Sequence, residues 1–506
     1  MKKQHSVKEM VTVSILSVLC LICIALLFTV IWFYGVFGIV SIEGIVFTMK
    51  TPLDIDIGYY VGSALKLVVL PTVGVAAAIV ILLWILKKTR FRQMTANHIR
   101  RILGTAAGVF FLAAFITFAV CYDLVPYVLG TIRTSDFIED HYVDPEEITI
   151  TFPEKKKNII HLYLESMESS YADEAIGGTL KENVIPELTG LALENVSFSN
   201  RRAGEIGGAL QNDYTCFTIA SMIAQTSGLP FKNFLDQKKF SHVSQIYPGI
   251  TSMGEILERE GYRNYLITGS DGEYAGTKTY YEQHGNYSVY DYNYFYSNGM
   301  VGKCEEGYWG IKDYELYEVA KQKLTEISQQ AEQSNAPFSV EMITIDTHGP
   351  EDGFYCEKCN KNQYEGKYKN IVSCADRQCY EFVEWLTKQS FYEDTVLIIT
   401  GDHYTMSSEM IHEMKKSDNT RTIYNAILNS SAAPGEYANE REFTMMDMCP
   451  TILAAAGATI EGERFGLGTN LFSGKETLWE KYGTEYVNQE MRKRSDFYTN
   501  MVTGDQ

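Results

Sequence analysis

Three long apolar runs in the first quarter of the chain constrain its fold more than any other feature. Val11 to Val40 contains no charged residue, Val61 to Leu86 contains only Lys66, and Ile102 to Val120 again contains none. Each run is close to the ~20 residues that an α-helix needs to cross a bilayer. A cleavable signal peptide does not explain the first run, which is too long and is followed by two more. We therefore predict about three transmembrane helices within residues 1–130.

Basic residues predict the orientation of these spans. Three lysines precede the first span, and six Lys and Arg lie between Lys87 and Arg101, in the loop between the second and third. Because positively charged loops stay on the cytoplasmic side, we expect both segments to be inside. The loop 41–60 and everything after about Leu129 are then outside, as in a multi-pass plasma membrane protein with an extracytoplasmic domain. If Val11 to Val40 contained two spans, the basic loop would still be inside and the large domain would still be outside.

The charge of the chain divides in the same way. Residues up to Arg101 include 11 Lys and Arg and four Asp and Glu, a net charge of +7, so the formal net charge of −19 leaves −26 for the remainder. A domain with so much negative charge repels phosphate backbones. Nucleic acid is therefore excluded as a partner.

The 506 residues are too many for one ordinary domain. Residues 131–157 are polar and irregular, which is typical of a linker or a wrapping segment. From residue 158 to 474, apolar strands alternate with helical stretches, and the segment 475–506 is a charged, partly helical tail that we expect at the surface. The predicted strands are Ile159 to Leu164, Asn264 to Thr268, Phe338 to Ile345 and Val396 to Thr400. This alternation predicts an α/β domain with a mostly parallel central sheet.

Two of the predicted strands end in possible metal ligands. The run TVLIITGDH stops at Gly401 and continues with Asp402 and His403, and the run NIIHLYL is followed by Glu165. Ligands bind beyond the carboxyl ends of strands in open α/β sheets, and carboxylates with an imidazole suit a divalent cation. The ordinary alternative is a chance Asp-His pair and a solvated Glu. Two strands that end in this way favour a metal site.

A short helix after Asn212 is the candidate position for a nucleophile. The stretch NDYTCFTIASMIAQTSGLP has capping residues, then small and apolar residues, and a Gly-Leu-Pro stop. A hydroxyl near a helix N-terminus lies in a field that favours negative charge. Thr215, Thr218 and Ser221 are all candidates, and ordinary capping is the alternative for each.

Four of the ten cysteines, Cys356, Cys359, Cys374 and Cys379, cluster in one loop and helix region. An extracytoplasmic location favours disulfide bonds among them, with their connectivity open. A four-thiolate structural zinc site is the alternative.

Several motifs, in order along the chain, resemble the lipoteichoic acid synthase family, sulfatase-like phosphoglycerol transferases of the alkaline phosphatase superfamily. The matching stretches are NIIHLYLES, FTIASMIAQTSGLP, WGIKD, DTHGP, ITGDHYTMS and FTMMDMCPTILAAAG. The resemblance is strongest to the phosphoglycerol transferase I-like branch, whose nucleophile motif has the spacing seen from Thr218 to Pro230. It therefore selects Thr218 among the candidate hydroxyls.

The resemblance implies a divalent metal as cofactor, bound by Glu165, Thr218, Asp402 and His403. Manganese is the metal that the family favours, and magnesium or zinc also fits such ligands. A metal-bound threonine hydroxyl has a lowered pKa and can attack phosphorus.

The same resemblance suggests residues that bind the donor. His348 of DTHGP would contact its phosphate or glycerol, and Lys278 or His284 would help to hold the headgroup. The family has an Arg near these last two positions, so the chain departs from the pattern there. Strand capping for His348 and a solvated loop position for Lys278 are the alternatives.

The function implied is transfer of glycerophosphate from phosphatidylglycerol to an envelope polysaccharide, polymer or glycolipid, without a nucleotide. A phosphoethanolamine transferase that uses phosphatidylethanolamine is one alternative, and a non-catalytic membrane scaffold with the same fold is another. A secreted-type sulfatase is disfavoured, because Cys216 is followed by Phe-Thr-Ile-Ala and lacks the Cys-x-Pro-x-Arg context.

Overall fold

The computed structural model describes residues 2–37, 42, 45, 57–89, 96–232, 245–305, 308, 310–349 and 353–504. Most of the expected outside loop 41–60, part of the basic loop 87–101 and Trp309 of the WGIKD motif lie outside the described residues. The chain divides into two compact units, Met1–Ile42 with Asp54–Val125 and Glu43–Leu53 with Pro126–Gln506.

The first unit consists of helices. They are α1 (Lys2–Phe37), α2 (Ile57–Ala64), α3 (Leu70–Thr89) and α4 (Ala96–Cys121), with a π-helical turn, Leu65–Val69, between α2 and α3. Among the described residues, three stretches are long and apolar enough to cross a membrane: Val11–Gly35, Val61–Ile85 and Asn97–Cys121. Each overlaps one of the apolar runs in the sequence, so the prediction of three membrane helices is confirmed.

The second unit contains the remaining helices and all strands of the described residues. Its helices are α5 (Leu124–Ile132, which starts in the first unit), α6 (Phe137–His141), α7 (Pro186–Glu194), α8 (Thr218–Ser227), α9 (Met253–Arg259), α10 (Thr277–Gln283), α11 (Tyr292–Ser297), α12 (Asp313–Ser334), α13 (Lys367–Leu386), α14 (Ser408–Met414), α15 (Met445–Ala455), α16 (Leu478–Tyr482), α17 (Thr484–Arg492) and α18 (Asp496–Thr503). Its strands are β1 (Ile150–Thr151), β2 (Asn158–Leu164), β3 (Arg263–Thr268), β4 (Ser288–Tyr290), β5 (Phe338–Ile343), β6 (Thr395–Gly401), β7 (Asn425–Leu428), β8 (Thr459–Ile460), β9 (Arg464–Phe465) and β10 (Gly468–Thr469).

A six-stranded sheet forms the centre of this unit. Its strand order is β4-β3-β5-β2-β6-β7. Every neighbouring pair is parallel except β6 and β7, which pair antiparallel at one edge. The mostly parallel sheet predicted from the sequence is therefore confirmed. The four predicted strands are the four central ones, and the short edge strands β4 and β7 were not predicted.

Strand β2 shows why its sequence is mostly apolar. Ile159 and Tyr163 pack in the core on one face of the sheet, whereas Ile160, Leu162 and Leu164 pack in the core on the other face. Successive side chains of a strand point to opposite faces, so a strand covered by helices on both sides is apolar on both faces, except where a buried polar side chain has a partner.

The segments on either side of the predicted 158–474 domain also contribute to its core. Phe137 and Ile138 of α6 are buried in the same hydrophobic cluster as Trp479 and Met491 of α16 and α17. Strand β1 pairs with β8, which holds residues 131–157 against the domain. The surface position expected for the segment 475–506 is wrong for its apolar residues, because these helices are amphipathic and bury that side.

A buried pair of polar residues crosses the centre of the sheet. His161 of β2 lies opposite Glu341 of β5, with 2.9 Å between Nδ1 and Oε2, and neither side chain is exposed. The Nε2 atom of His161 lies 3.0 Å from the hydroxyl of Thr400 on β6. His161 thus connects β2 with both of its neighbours, β5 and β6, inside the sheet.

Removal of this imidazole should destabilise the protein strongly. We expect His161→Ala to lower the free energy of unfolding by about 3–5 kcal/mol, because Glu341 would remain buried without its partner. Chemical denaturation of the full-length protein in detergent measures this effect. His412→Ala, at an exposed position on α14, is the matched control and should change stability by less than ~0.5 kcal/mol. Equal stability of the two variants would contradict the structural role of the pair.

Candidate active site

The register of the sheet brings the two predicted ligand positions together. Leu164 at the end of β2 pairs with Gly401 at the end of β6, and the backbone N–H of Asp402 donates to the Leu164 carbonyl at 3.3 Å. Glu165 and Asp402 follow directly, so they leave the sheet at the same edge. Both side chains are buried, and so is His403.

The three side chains present their polar atoms to one point. The Nε2 atom of His403 lies 3.4 Å from Oε1 of Glu165 and 3.4 Å from Oδ2 of Asp402. One ligand atom of each residue lies within 4.8 Å of the others. This spacing is short enough for a single cation to contact all three.

Hydrogen bonds to the other atoms of these residues orient them. Oδ1 of Asp402 accepts from the backbone N–H groups of Ser166 and His403, both at 2.7 Å. Its Oδ2 is buried and accepts no hydrogen bond from the described residues. Nδ1 of His403 donates to the carbonyl of Tyr404 at 2.9 Å, so Nε2 is the ring atom that faces the site and would bind a cation once it carries no proton. A buried carboxylate oxygen without a donor, beside an imidazole lone pair, fits a divalent cation.

Thr218 is the first residue of α8 and reaches the same point. Its hydroxyl donates to Oε2 of Glu165 at 3.2 Å and lies 3.5 Å from Nε2 of His403. The preceding Phe217 is extended, with φ −154° and ψ 160°, so the helix starts at the site. After it the helix is buried and ends at Gly228, whose φ of +64° is left-handed.

The other two hydroxyl candidates make contacts elsewhere. Thr215 is fully buried and its hydroxyl lies 3.5 Å from the carbonyl oxygen of Asn212. Ser221 is also buried, and its Oγ accepts from the Gln225 side chain at 3.1 Å. Of the three hydroxyls, only that of Thr218 lies within hydrogen-bond distance of Glu165 and His403 in the described part of the chain.

Sequence reasoning missed the residues that support these ligands. Ser166 has a positive φ of 51°, and its Oγ donates to Oε1 of Glu165 at 2.7 Å. Glu168 is buried, accepts from the backbone N–H of Thr405 at 2.9 Å, and pairs with both Nε and Nη2 of Arg421. Ser166 could have been found from the sequence, because it directly follows the predicted ligand Glu165 in the motif NIIHLYLES. For Arg421 the sequence offered no signal.

Burial and like charge govern the protonation of the site. Burial, and next to it the charge of Asp402, raises the pKa of Glu165 to about 8. Burial alone would lower the pKa of His403, but the carboxylates of Asp402 and Glu165 outweigh it and raise this pKa. Burial and the nearby charge of His403 lower the pKa of His348 to about 3, so this imidazole is neutral at physiological pH.

These shifts predict proton release when the site binds a cation. Below a pH of about 8 the metal-free Glu165 is mostly protonated, and that proton must leave before the carboxylate binds a metal. We therefore expect the affinity for Mn²⁺ to rise with pH, by up to roughly tenfold per pH unit, and to level off above the pKa. Calorimetric titration in buffers of different ionisation enthalpy counts the protons released. An affinity that is constant from roughly pH 6 to pH 8 would contradict the raised pKa.

His348 lies on the loop that follows β5, and other residues of this loop contact Glu165. The hydroxyl of Thr344 accepts from the backbone N–H of Glu165 at 3.0 Å, and the hydroxyl of Thr347 donates to the carbonyl of Glu165 at 2.5 Å. The loop that carries His348 therefore lies against Glu165, and the charge of His403 contributes to the low pKa of His348.

The two remaining donor-binding candidates differ from each other. Lys278 forms an ion pair with Glu273 at 3.3 Å, and its side chain is 35% exposed. In the same segment, burial and next to it the charge of Glu165 raise the pKa of Tyr274. His284, in contrast, is buried, with Nε2 2.8 Å from the carbonyl of Ile246 and Nδ1 3.1 Å from Glu255. These contacts occupy both ring nitrogens, so the headgroup-binding role expected for His284 does not fit its environment.

Comparison with known proteins gives a family model and curated relatives that the chain matches. The family model named Sulfatase matches residues 157–458. Phosphoglycerol transferase I of Salmonella choleraesuis is 27% identical over 424 residues, which cover 82% of this chain and 51% of that protein. Phosphoglycerol transferase I of Salmonella paratyphi B is 28% identical over 427 residues, with the same coverage of 82% and 51%. The chain thus spans about half the length of the curated relatives it matches.

Solved structures with a similar chain path also exist. The lipoteichoic acid synthase LtaP from Listeria monocytogenes has a TM-score of 0.47 at 18% identity, covering 67% of this chain and 81% of that chain. A protein of the alkaline phosphatase superfamily from Vibrio parahaemolyticus has a TM-score of 0.46 at 19% identity, covering 64% and 74%.

Proposed function

The chain belongs to the sulfatase family, and from that premise we propose that it is a membrane-bound transferase that moves glycerophosphate from phosphatidylglycerol to an acceptor in the cell envelope. One observation carries the proposal: the Thr218 hydroxyl lies at a helix N-terminus and contacts Glu165 and His403 at 3.2 and 3.5 Å. The relatives named phosphoglycerol transferase I support glycerophosphate as the group that is transferred.

Thr218 is the nucleophile in this proposal. Its Oγ1 attacks the phosphorus of phosphatidylglycerol, a new P–O bond forms, and the bond from phosphorus to the diacylglycerol oxygen breaks. The leaving oxygen takes a proton, diacylglycerol is released, and glycerophosphate remains esterified to Thr218. The hydroxyl proton has a path to leave, because Thr218 already donates to Glu165.

Glu165, Thr218, Asp402 and His403 are the residues that would hold a divalent cation. Such a cation would lower the pKa of the threonine hydroxyl and offset negative charge on the phosphoryl oxygens. We propose manganese, and magnesium or zinc is the alternative that a mixed oxygen and nitrogen ligand set permits. Ser166 and Tyr404 keep these ligands oriented through their hydrogen bonds to Glu165 and His403.

His348 is the proposed contact to the donor. Its low pKa makes the imidazole neutral, so it can donate an N–H to a phosphate or glycerol oxygen without bringing a second positive charge beside His403. Lys278, whose side chain is partly exposed, is the proposed partner of the headgroup.

The second half of the reaction returns Thr218 to its free form. A hydroxyl group of the acceptor attacks phosphorus, the bond to Oγ1 breaks, and Oγ1 takes back a proton. The acceptor class is an envelope polysaccharide, a polyglycerolphosphate chain or a glycolipid. We propose that the domain is extracytoplasmic, because the basic loop 87–101 favours the cytoplasmic side. The transfer uses the ester bond of the lipid, so no nucleotide is needed.

Release of diacylglycerol tests the proposal. The full-length protein in mixed micelles is given phosphatidylglycerol or phosphatidylethanolamine, with and without Mn²⁺. We expect metal-dependent release from phosphatidylglycerol. Release from phosphatidylethanolamine instead would identify a phosphoethanolamine transferase, and release from neither lipid would favour the non-catalytic scaffold.

A further inference from the structure

Three cysteine thiols converge in the segment between β5 and the middle of α13. Sγ of Cys356 lies 3.5 Å from Sγ of Cys359 and 3.7 Å from Sγ of Cys374. The three sulfur atoms all lie within 4.8 Å of one another. Cys356 and Cys374 are buried and Cys359 is half-buried.

These distances do not fit the disulfide bonds that the sequence favoured. A disulfide needs sulfur atoms ~2.0 Å apart, and the ten cysteines of the chain are all free thiols. Sulfur atoms bound to one zinc ion at ~2.3 Å in a tetrahedron lie ~3.8 Å apart. The two measured separations, 3.5 and 3.7 Å, are close to that edge length.

N–H groups surround the sulfur atoms, as they do around metal-bound thiolates. The backbone amide of Cys356 donates to Sγ of Cys359 at 3.3 Å. The Gln378 side chain donates to Sγ of Cys374 at 3.1 Å. Such donors stabilise negative sulfur and orient it towards a metal.

Cys379 is not part of this cluster. It lies on α13 but is fully buried, and its thiol contacts Tyr317 instead. The four-thiolate zinc site considered from the sequence is therefore wrong in its fourth ligand.

We propose that Cys356, Cys359 and Cys374 bind one zinc ion, with a water molecule in the fourth position of the tetrahedron. The site is separate from Glu165, Asp402 and His403, and its thiolate ligands select a softer metal than the carboxylates there. It does not depend on the transferase activity proposed above.

The zinc ion has a positioning role in this proposal. It connects the segment around Cys356 to Cys374 on α13, 18 residues away. Next to this segment, the N–H of Phe354 donates to the carbonyl of Asp346 at 2.8 Å. Tyr368 of α13 donates to the carbonyl of Thr347 at 2.8 Å, and Thr347 in turn contacts Glu165. Closing this loop with a metal therefore restrains the residues that flank His348.

Metal content and thiol content together test the proposal. Full-length protein is purified in detergent without added metal, in an Asp402→Asn background, so that the carboxylate site contributes little metal. We expect one equivalent of zinc by elemental analysis, and its loss in Cys356→Ser, Cys359→Ser and Cys374→Ser. Cys379→Ala, on the same helix, is the matched control and should keep the zinc.

Each other result would overturn the proposal. If no zinc is found and a thiol titration in denaturant detects two cysteines fewer than the sequence contains, the cysteines form a disulfide. If no zinc is found and every thiol reacts, the cluster is empty. Zinc that persists in Cys374→Ser would belong to another site. Because a serine substitution in a buried cluster can itself cause misfolding, Co²⁺ exchange into the unsubstituted protein is the second measurement. It should produce the sulfur-to-cobalt charge-transfer and d–d bands of a tetrahedral thiolate site, and their absence would refute the proposal.

Discussion

Replacing Thr218 with alanine is expected to abolish the release of diacylglycerol and to leave the fold intact. The substitution removes the only protein atom that the proposed mechanism joins to phosphorus, so turnover should fall by roughly 10³-fold or more. Folding should survive, because the hydroxyl makes no helix-capping bond and truncation of a helix-start threonine costs ~1 kcal/mol at most. The measurements are diacylglycerol release in the presence of Mn²⁺ and the thermal unfolding midpoint.

Two further variants make this result specific. Thr218→Ser keeps a hydroxyl in place and should retain part of the activity, whereas Thr215→Ala removes a neighbouring hydroxyl that contacts Asn212 and should leave most of it. If Thr218→Ala unfolds, the residue is structural. If it folds and turns over within tenfold of the unsubstituted protein, another group is the nucleophile.

Replacing Asp402 with asparagine should weaken Mn²⁺ binding by at least roughly 10²-fold, and activity should fall with it. The amide oxygen can still accept the N–H bonds of Ser166 and His403 that Oδ1 accepts now. The amide NH₂ then takes the place of Oδ2, which loses both its charge and its lone pairs towards the cation. The local fold is thereby preserved while one ligand is lost. Calorimetric titration with Mn²⁺ measures the change.

A buried carboxylate in another part of the domain provides the control. Asp376 of α13 is buried and accepts from the backbone N–H groups of Glu187 and Leu188, one on each carboxylate oxygen. Asp376→Asn should therefore leave Mn²⁺ affinity unchanged. A wild-type affinity in Asp402→Asn would remove Asp402 from the metal ligands, and a loss of affinity in both variants would point to general destabilisation.

The sequence alone determined the features that depend on local pattern. The apolar runs predicted three membrane helices because crossing a bilayer requires length and lack of charge, which are both visible in one dimension. The runs NIIHLYL and TVLIITG predicted β2 and β6, since a strand covered on both faces is mostly apolar. Glu165 and Asp402 stood at their carboxyl ends, so the edge of the sheet that holds the site was predictable.

Short and amphipathic elements escaped prediction for the opposite reason. Strands β4 and β7 have three and four residues, too few to show a period. The helices after Gly474 carry many charges, and their few apolar residues, such as Trp479, reveal their burial only when the core that receives them is known.

Tertiary structure decided which side chains meet. Thr218 stands 53 residues from Glu165, and Asp402 stands 236 residues from Ser166, so only packing brings them into contact. The same packing occupied both nitrogens of His284. It also grouped Cys356 and Cys359 with Cys374 rather than with Cys379. Local sequence limits the conformation of a residue, but a site depends on distances between segments remote in the chain, and those distances arise only when the sheet register and the helix packing are set.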